Sequence, residues 1–200
     1  MTTILLARHG QTRWNAERRW QGHADVPLDD TGRSQASALA ESLASAGIGA
    51  IWSSDLVRAR ATAEAVGARL GLDVQVDARL REVDVGEWSG LTAAELEQRY
   101  PEGLARRRVG GTGWESGEDY EAMGSRVVEA LNAIAAAHPA EIVLVVTHGG
   151  PITSMWLACG GELAQWQHRG NCDVDQIVIR DGRMQWIHST RGGLHQQVQG

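Results

Sequence analysis

The sequence predicts an α/β fold: a three-layer sandwich in which a mostly parallel, mixed sheet carries helices on both faces. Short apolar runs typical of strands alternate with alanine- and leucine-rich segments typical of helices. The last two strand-like runs are joined by Asp181-Gly182, which favours a hairpin and so makes the sheet mixed. Because the chain is long enough for one core and no linker divides it, we expect a single domain over residues 1–200.

Each strand is predicted from a short run of apolar or alternating residues. The predicted strands cover residues 3–7, 50–53, 73–76, 142–146, 174–179 and 184–188. The run at 142–146 is the most apolar in the chain, so it is expected at the centre of the sheet, where both faces are covered.

The helices are predicted from residues that favour helix and from the signals at their ends. They cover residues 31–46, 55–70, 92–99, 117–138 and 149–158. Ser54 and Asp55 are expected to cap the second helix, and Gly149-Gly150-Pro151 opens the last one. The predicted stop signals are Gly47, Gly71, Pro101 and Pro139.

Composition excludes several classes of function. The net charge of -6 and the sequence pI near 5.6 argue against a surface that binds nucleic acid or anionic membrane. No apolar run approaches the ~20 residues that span a bilayer. Two cysteines without paired spacing favour a cytoplasmic protein, and the histidines outside the motifs, including His195, show no metal-ligand spacing. We therefore predict no metal and no cofactor; a homodimer stays open.

Lysine is absent, so all 19 basic residues are arginine. Schiff-base chemistry and the lysine-containing phosphate loop of nucleotide-binding enzymes are therefore excluded. Any bound phosphate must be held by arginine, histidine and backbone N–H groups.

Two histidines stand at the carboxyl ends of two of the predicted strands. His9 stands in Arg8-His9-Gly10, and His148 stands in Thr147-His148-Gly149-Gly150. The carboxyl ends of strands in an open sheet converge on one crevice, so both histidines and Arg8 are expected in one site. The glycines, Gly149 among them, let the backbone approach a ligand and bring helix N–H groups close to a phosphate.

At these residues the sequence resembles the histidine phosphatase superfamily, the phosphoglycerate mutase-like group. The family's N-terminal signature is arginine-histidine-glycine followed by glutamate or glutamine and threonine, as in residues 8–12. Similar segments are Leu28-Asp29-Asp30-Thr31-Gly32-Arg33-Ser34-Gln35-Ala36, Ser53-Ser54-Asp55-Leu56-Val57-Arg58-Ala59, the stretch 80–92 and Thr147-His148-Gly149-Gly150. Together they cover most of residues 3–155.

The resemblance implies a role for each matching residue. His9 would be the nucleophile, and Glu82 the residue that gives a proton to the leaving group and later takes one from water. The implied phosphate clamp consists of Arg8, Arg58 and a protonated His148. Secondary contacts to substrate are implied for Asn15 and Gln21. Two arginines match phosphate oxygens and keep their charge, and an imidazole nucleophile needs one neutral nitrogen.

Nearby residues are the competitors for these roles. Arg60 is the rival of Arg58, and Asp84 and Glu87 are the rivals of Glu82. Two further features could touch a substrate without being required by the motifs. They are the tryptophans of the predicted loops, Trp14, Trp20, Trp88 and Trp114, and the run Arg106-Arg107-Arg108.

The function implied is hydrolysis of a small-molecule phosphate monoester through a phosphohistidine, without metal. Phosphoglycerate mutase activity is the first alternative; the family's mutases are generally longer than this chain, which favours phosphatase. A non-catalytic module that binds a phospho-ligand is the second alternative. The family's phosphatases act on α-ribazole phosphate, sugar phosphates and phosphoglycerate derivatives, and no residue in the sequence separates them.

Overall fold

A computed structural model describes residues 1–190. Residues 191–200 of the predicted domain, His195 among them, lie outside the described part. One six-stranded mixed sheet has the strand order β3-β2-β4-β1-β5-β6. The strands are β1 Thr2–Arg8, β2 Ile48–Ser53, β3 Val74–Val76, β4 Ile142–Thr147, β5 Val174–Arg180 and β6 Arg183–Thr190. Strands β1 to β4 pair in parallel, and β5 and β6 are antiparallel to their neighbours. The predicted fold class is confirmed, with β4 beside β1 at the sheet centre.

Helices cover both faces of the sheet. They are α1 Arg13–Ala16, α2 Asp30–Ser42, α3 Val57–Leu70, α4 Ala93–Arg99, α5 Pro101–Arg108, α6 Tyr120–Ala137 and α7 Gly149–Ala158. Alternate residues of β1 enter two separate cores: Ile4 and Leu6 pack with residues of α6 and α7, whereas Leu5 and Ala7 pack with residues of α2 and α3. This alternation follows from the two-residue period of a strand.

Several predicted helix ends are wrong. The helix expected over 31–46 ends at Ser42, and Gly47, although it has a φ of 70°, does not cap it. The helix expected from residue 117 begins at Tyr120, where the Asp119 side chain accepts from the N–H of Ala122. Pro101 does end α4, but it also opens α5, because its fixed φ and missing N–H suit the first turn of a helix.

The start of α3 differs from the expected cap. Ser54 and Asp55 lie before the helix, and its N-cap, Leu56, makes no side-chain cap bond. The N–H of Val57 is instead bound by the carboxylate of Asp25, from a distant segment, at 2.6 Å. The predicted end is confirmed, since Gly71 adopts the left-handed conformation with a φ of 70°.

None of the helices within residues 1–190 is both long and apolar enough to cross a bilayer.

Candidate active site

His9 and His148 meet because the strands that precede them are adjacent and parallel. Arg8 of β1 pairs with Thr147 of β4, and the N–H of His9 donates to the carbonyl of Thr147 at 3.0 Å. The two imidazole centroids are 5.1 Å apart, and both rings are almost fully buried. The structure therefore brings together the two histidines that the sequence placed at strand ends.

The environment of His9 favours a neutral imidazole with a defined tautomer. Its Nδ1 lies 2.7 Å from the carbonyl oxygen of Gly10, which can only accept, so Nδ1 carries the proton and Nε2 has the lone pair. Burial and the positive charges of Arg58 and Arg8 hold the pKa of His9 well below the usual histidine value. A neutral, fixed imidazole is the form that a nucleophile requires.

Arg8 and Arg58 bring two positive charges to this cluster. Arg8 donates from Nη1 to the carbonyl of Arg169 at 2.5 Å. Arg58 is 1% exposed and donates to the carbonyls of Ala24 and Gly22. Burial lowers the pKa of Arg8, and it lowers that of Arg58 to about 10. Both guanidinium groups stay cationic at neutral pH. Each uses only some of its N–H donors in hydrogen bonds to the protein.

Three buried nitrogen atoms in this cluster have no hydrogen-bond partner within residues 1–190. They are Nε of Arg8, Nε of Arg58 and Nδ1 of His148. Buried polar groups are nearly always satisfied, and leaving one unpaired costs about 1–3 kcal/mol. A ligand with several acceptor oxygens and a negative charge would satisfy all three.

Glu82 lies at the N-terminus of α7, beside the arginines. Its carboxylate accepts from the N–H of Gly150 at 3.1 and 3.2 Å and from that of Val83 at 2.9 Å. A Cβ on Gly150 would lie 2.2 Å from Glu82 Oε1, so a larger residue there would displace the carboxylate from its present position. A Cβ on Gly149 would lie 3.9 Å from both Arg8 Nε and Glu82 Oε2, so Gly149 borders Glu82 and Arg8.

The competitors of Arg58 and Glu82 are engaged elsewhere. Arg60 is exposed and faces Glu64 at 3.3 Å, one turn along α3. Although desolvation opposes it, hydrogen bonds from Ser116 and Glu115 lower the pKa of Glu87 to about 2, which makes this group a poor proton donor. Asp84 accepts from the N–H of Gly86. Geometry favours Arg58 and Glu82, whose roles stay predictions.

Asn15 and Gln21, the predicted secondary contacts, are tied to Thr12. Thr12 caps α1 by accepting from the N–H of Asn15, and the Asn15 side chain accepts in return from the Thr12 N–H. The hydroxyl of Thr12 also lies 3.0 Å from Gln21 Oε1, and Gln21 is 8% exposed. Both residues thus support the loop after His9, and direct contact with a substrate stays a prediction.

Residues 28–36 hold the loop after His9 in place through hydrogen bonds to Gln11. Asp29 caps α2, and its other carboxylate oxygen accepts from the Gln11 side chain. Gln35 of α2 accepts from the N–H of Gln11 at 2.8 Å. Gly32 permits this approach, because a Cβ there would lie 2.0 Å from the carbonyl of Gln11.

Sequence reasoning missed Arg126 and Asn171. Arg126 on α6 donates to the carbonyls of Arg79, Arg81 and Glu82 and forms a two-point ion pair with Glu118. It thereby holds the backbone that carries the acid. The Asn171 side chain donates to the carbonyl of His9 at 2.9 Å. Neither residue stands in a motif, and only long-range contacts give them these places.

The suggestion that the four loop tryptophans could touch a substrate does not fit two of them, Trp88 and Trp114. Trp88 and Trp114 are 0% and 4% exposed, and they pack edge to face in the core with ring centroids 5.6 Å apart. Trp20 contacts both of them edge to face, with ring centroids 5.4 and 6.1 Å apart. Only Trp14, which lies against Gly90, stays outside this cluster. The tryptophans stabilise the loops around the site by packing.

The run of three arginines divides into two paired residues and one with spare donors. Arg106 donates to the carbonyl of Gly113, and Arg108 lies 3.8 Å from Glu97. Arg107 instead places its guanidinium 5.0 Å over the ring of Tyr120, and its buried Nε has no partner among the described residues. Burial raises the pKa of Tyr120, the charge of Arg107 opposes this rise, and the charge of Glu82 adds to it. Tyr120 is therefore the residue that connects Arg107 electrostatically with Glu82.

Comparison with known proteins finds similarity over nearly the whole chain. The family model of the histidine phosphatase superfamily (branch 1) matches residues 4–190. Phosphoglycerate mutase-like protein 4 of Arabidopsis thaliana is 40% identical, covering 90% of this chain and 80% of that protein. A protein named as a probable phosphoglycerate mutase in Cronobacter sakazakii is 36% identical over 97% of this chain and 94% of its own.

Solved structures with the same fold include a phosphatase. A mycobacterial glucosyl-3-phosphoglycerate phosphatase complexed with VO3 has a TM-score of 0.84 and 32% identity, covering 96% of this chain and 99% of that one. A phosphoserine phosphatase from Entamoeba histolytica, at 24% identity and a TM-score of 0.79, shares the fold. With the motifs, the site geometry and the family model in agreement, this chain belongs to the histidine phosphatase superfamily.

Proposed function

We propose that the protein hydrolyses small-molecule phosphate monoesters through a phosphohistidine on His9. The observation that carries the proposal is the set of three unpaired, buried nitrogens of Arg8, Arg58 and His148 around a neutral imidazole. A phosphoryl group offers oxygen acceptors to all three nitrogens and an electrophilic phosphorus to the imidazole of His9. The similarity to phosphatases of the family supports the same reaction.

In the first step Nε2 of His9 attacks phosphorus, and the bond from phosphorus to the ester oxygen breaks. Glu82 gives its proton to the leaving alkoxide. Charge on the three equatorial oxygens is offset by the guanidinium groups and by N–H donors. Glu82 has to bind its proton before this step, and the negative charge of a phosphate beside it favours the protonated form.

In the second step water attacks the phosphorus of phosphohistidine. Glu82, now ionised, takes a proton from that water, and the bond between phosphorus and Nε2 breaks. Inorganic phosphate leaves, and His9 returns to its neutral state. No group beyond the side chains named here is needed to balance the protons, since the proton that Glu82 loses in the first step is regained in the second.

Phosphoglycerate mutase activity is the alternative, favoured by the names of two relatives. Both reactions share the phosphohistidine, and they differ in whether water or a second substrate hydroxyl accepts the phosphoryl group. Arg107 is relevant to either reaction, because its guanidinium lies over Tyr120 and its Nε is unpaired among the described residues, so it could bind a second anionic group on the substrate.

Release of inorganic phosphate tests the proposed function. We expect turnover of p-nitrophenyl phosphate and of aliphatic monoesters, and we expect the rate to be unchanged in excess chelator, because arginine and histidine side chains bind the phosphate. Loss of activity with chelator, restored by a divalent ion, would contradict the metal-free mechanism. Isomerisation of 3-phosphoglycerate faster than any hydrolysis would favour the mutase instead.

The Arg107→Ala variant tests the second anion contact. Charge-assisted hydrogen bonds contribute about 1.5–3 kcal/mol, so KM for 3-phosphoglycerate hydrolysis should rise about tenfold. KM for p-nitrophenyl phosphate, which has no second anionic group, should stay the same. Arg108→Ala is the matched control, because Arg108 is exposed and faces Glu97. An equal effect on both substrates would show that Arg107 acts only on the fold.

A further inference from the structure

The protonation of His148 depends on a neighbour that lies outside the catalytic set. Nε2 of His148 lies 2.9 Å from the hydroxyl oxygen of Ser54, and both side chains are fully buried. The other ring nitrogen, Nδ1, is one of the three unpaired atoms of the cluster. The hydrogen bond to Ser54 therefore decides which nitrogen carries the proton toward the phosphate.

The other contact of Ser54 fixes the direction of this hydrogen bond. Ser54 Oγ accepts from the N–H of Leu56 at 3.3 Å. Its own hydrogen needs an acceptor, and His148 Nε2 is the only one within hydrogen-bond distance among the described residues. If Nε2 were protonated instead, two N–H groups would point at Ser54 Oγ and the buried O–H would have no acceptor, at a cost of about 1–3 kcal/mol.

We propose that Ser54 is a positioning residue that holds His148 as the neutral Nδ1–H tautomer, so that Nδ1 donates to a phosphoryl oxygen. This inference rests on the proposed function for the identity of the acceptor. The tautomer itself follows from the protein contacts alone. Ser54 does not need to touch the substrate, since it acts through the imidazole.

The electrostatic surroundings agree with a neutral donor. Burial and the positive charges of Arg58 and Arg8 hold the pKa of His148 well below the usual histidine value. They disfavour the protonated His148 that the family resemblance implied for the clamp. The two arginines supply the positive charge, and His148 supplies a directed N–H without a further buried charge to desolvate.

The neighbouring serine gives a matched control. Ser53 is as fully buried as Ser54, but its hydroxyl donates to the carbonyl of Ser54 at 2.8 Å and does not contact His148. Ser53→Ala and Ser54→Ala thus remove the same group from adjacent buried positions. A general packing defect should appear in both variants, whereas a change of tautomer should appear in only one.

The test is the tautomer of His148, read from ring nitrogen and proton correlations in 15N-histidine-labelled full-length protein, with the His148→Gln spectrum assigning the signals. We expect protonated Nδ1 and unprotonated Nε2 in the wild type and in Ser53→Ala. In Ser54→Ala we expect loss of this single tautomer. A wild-type His148 protonated at Nε2, or at both nitrogens, would overturn the proposal.

Kinetics provide the second arm. Ser54→Ala should lower kcat for p-nitrophenyl phosphate about tenfold or more, with a smaller change in KM. The reason is that the Nδ1–H of His148 stabilises the transition state more than it stabilises the bound substrate. Ser53→Ala should keep the wild-type kcat. An unchanged kcat in Ser54→Ala would reject the functional part of the proposal. A protein that hydrolyses no ester but shows the Nδ1–H tautomer would instead reject the proposed function and leave the Ser54 assignment intact.

Discussion

His9→Ala should abolish phosphate release and remove all covalent phosphate from the protein. The expected loss in kcat is roughly 10⁴-fold or more, the scale on which enzymes lose a nucleophile. Within residues 1–190, Nε2 of His9 has no hydrogen-bond partner, its imidazole is held neutral, and the unpaired nitrogens of Arg8, Arg58 and His148 belong to the same cluster. Wild-type protein quenched during turnover should carry acid-labile, base-stable phosphate on a peptide that contains His9, which mass spectrometry of the digest can locate.

Binding and catalysis can be separated in the same variant. His9→Ala retains Arg8, Arg58 and His148, so it should still bind inorganic phosphate in calorimetry while it fails to turn over. A residue that only bound phosphate would mainly raise KM when removed. His168→Ala is the control, since His168 is exposed. Phosphate found on His148, or full activity in His9→Ala, is incompatible with the mechanism.

The convergence of the site could be predicted because it depends on local patterns. A run of four or five apolar residues, followed one residue later by a histidine and repeated at β1 and β4, is sufficient to place His9 and His148 at one sheet edge. The end of α3 was equally local, since Gly71 alone provides the left-handed cap. Such features need only neighbours in the chain.

Features that depend on distant segments could not be predicted. The cap of α3 comes from Asp25, and the backbone that carries Glu82 is held by Arg126 from α6. Trp88 and Trp114 stand in loop segments, yet they pack on each other in the core. Their burial depends on which loops meet, and no periodicity in the sequence reports that.

The protonation state of His148 also could not be predicted from the sequence. Sequence motifs give the residue type at a position, but the charge of an imidazole depends on burial and on nearby cations. Arg58 and Arg8, which would attract a phosphate, also disfavour a third positive charge on His148. The motifs give the residues of the proposed clamp, whereas the charge expected on His148 depends on the three-dimensional surroundings.

Glu82→Gln should slow hydrolysis by an amount that depends on the leaving group. Glutamine keeps the size of the side chain but cannot donate and regain an acidic proton, and general acid-base help is typically worth about 10²–10⁴-fold. An aliphatic monoester, whose alkoxide is a poor leaving group, should lose activity near the upper limit. p-Nitrophenolate, the leaving group of p-nitrophenyl phosphate, departs without protonation. The first step with this ester should therefore be little affected.

The trapped intermediate distinguishes the two roles of Glu82. With p-nitrophenyl phosphate, Glu82→Gln should form phosphohistidine rapidly and hydrolyse it slowly, because the variant lacks the base that activates water. In the time course of p-nitrophenol release we expect a burst equal to the enzyme concentration, followed by slow turnover. Glu87→Gln is the matched control, since Glu87 binds Ser116 and the backbone of the neighbouring loop. Equal losses for both esters in Glu82→Gln, without a burst, would show that Glu82 holds the N-terminus of α7 through Gly150 and takes no part in proton transfer.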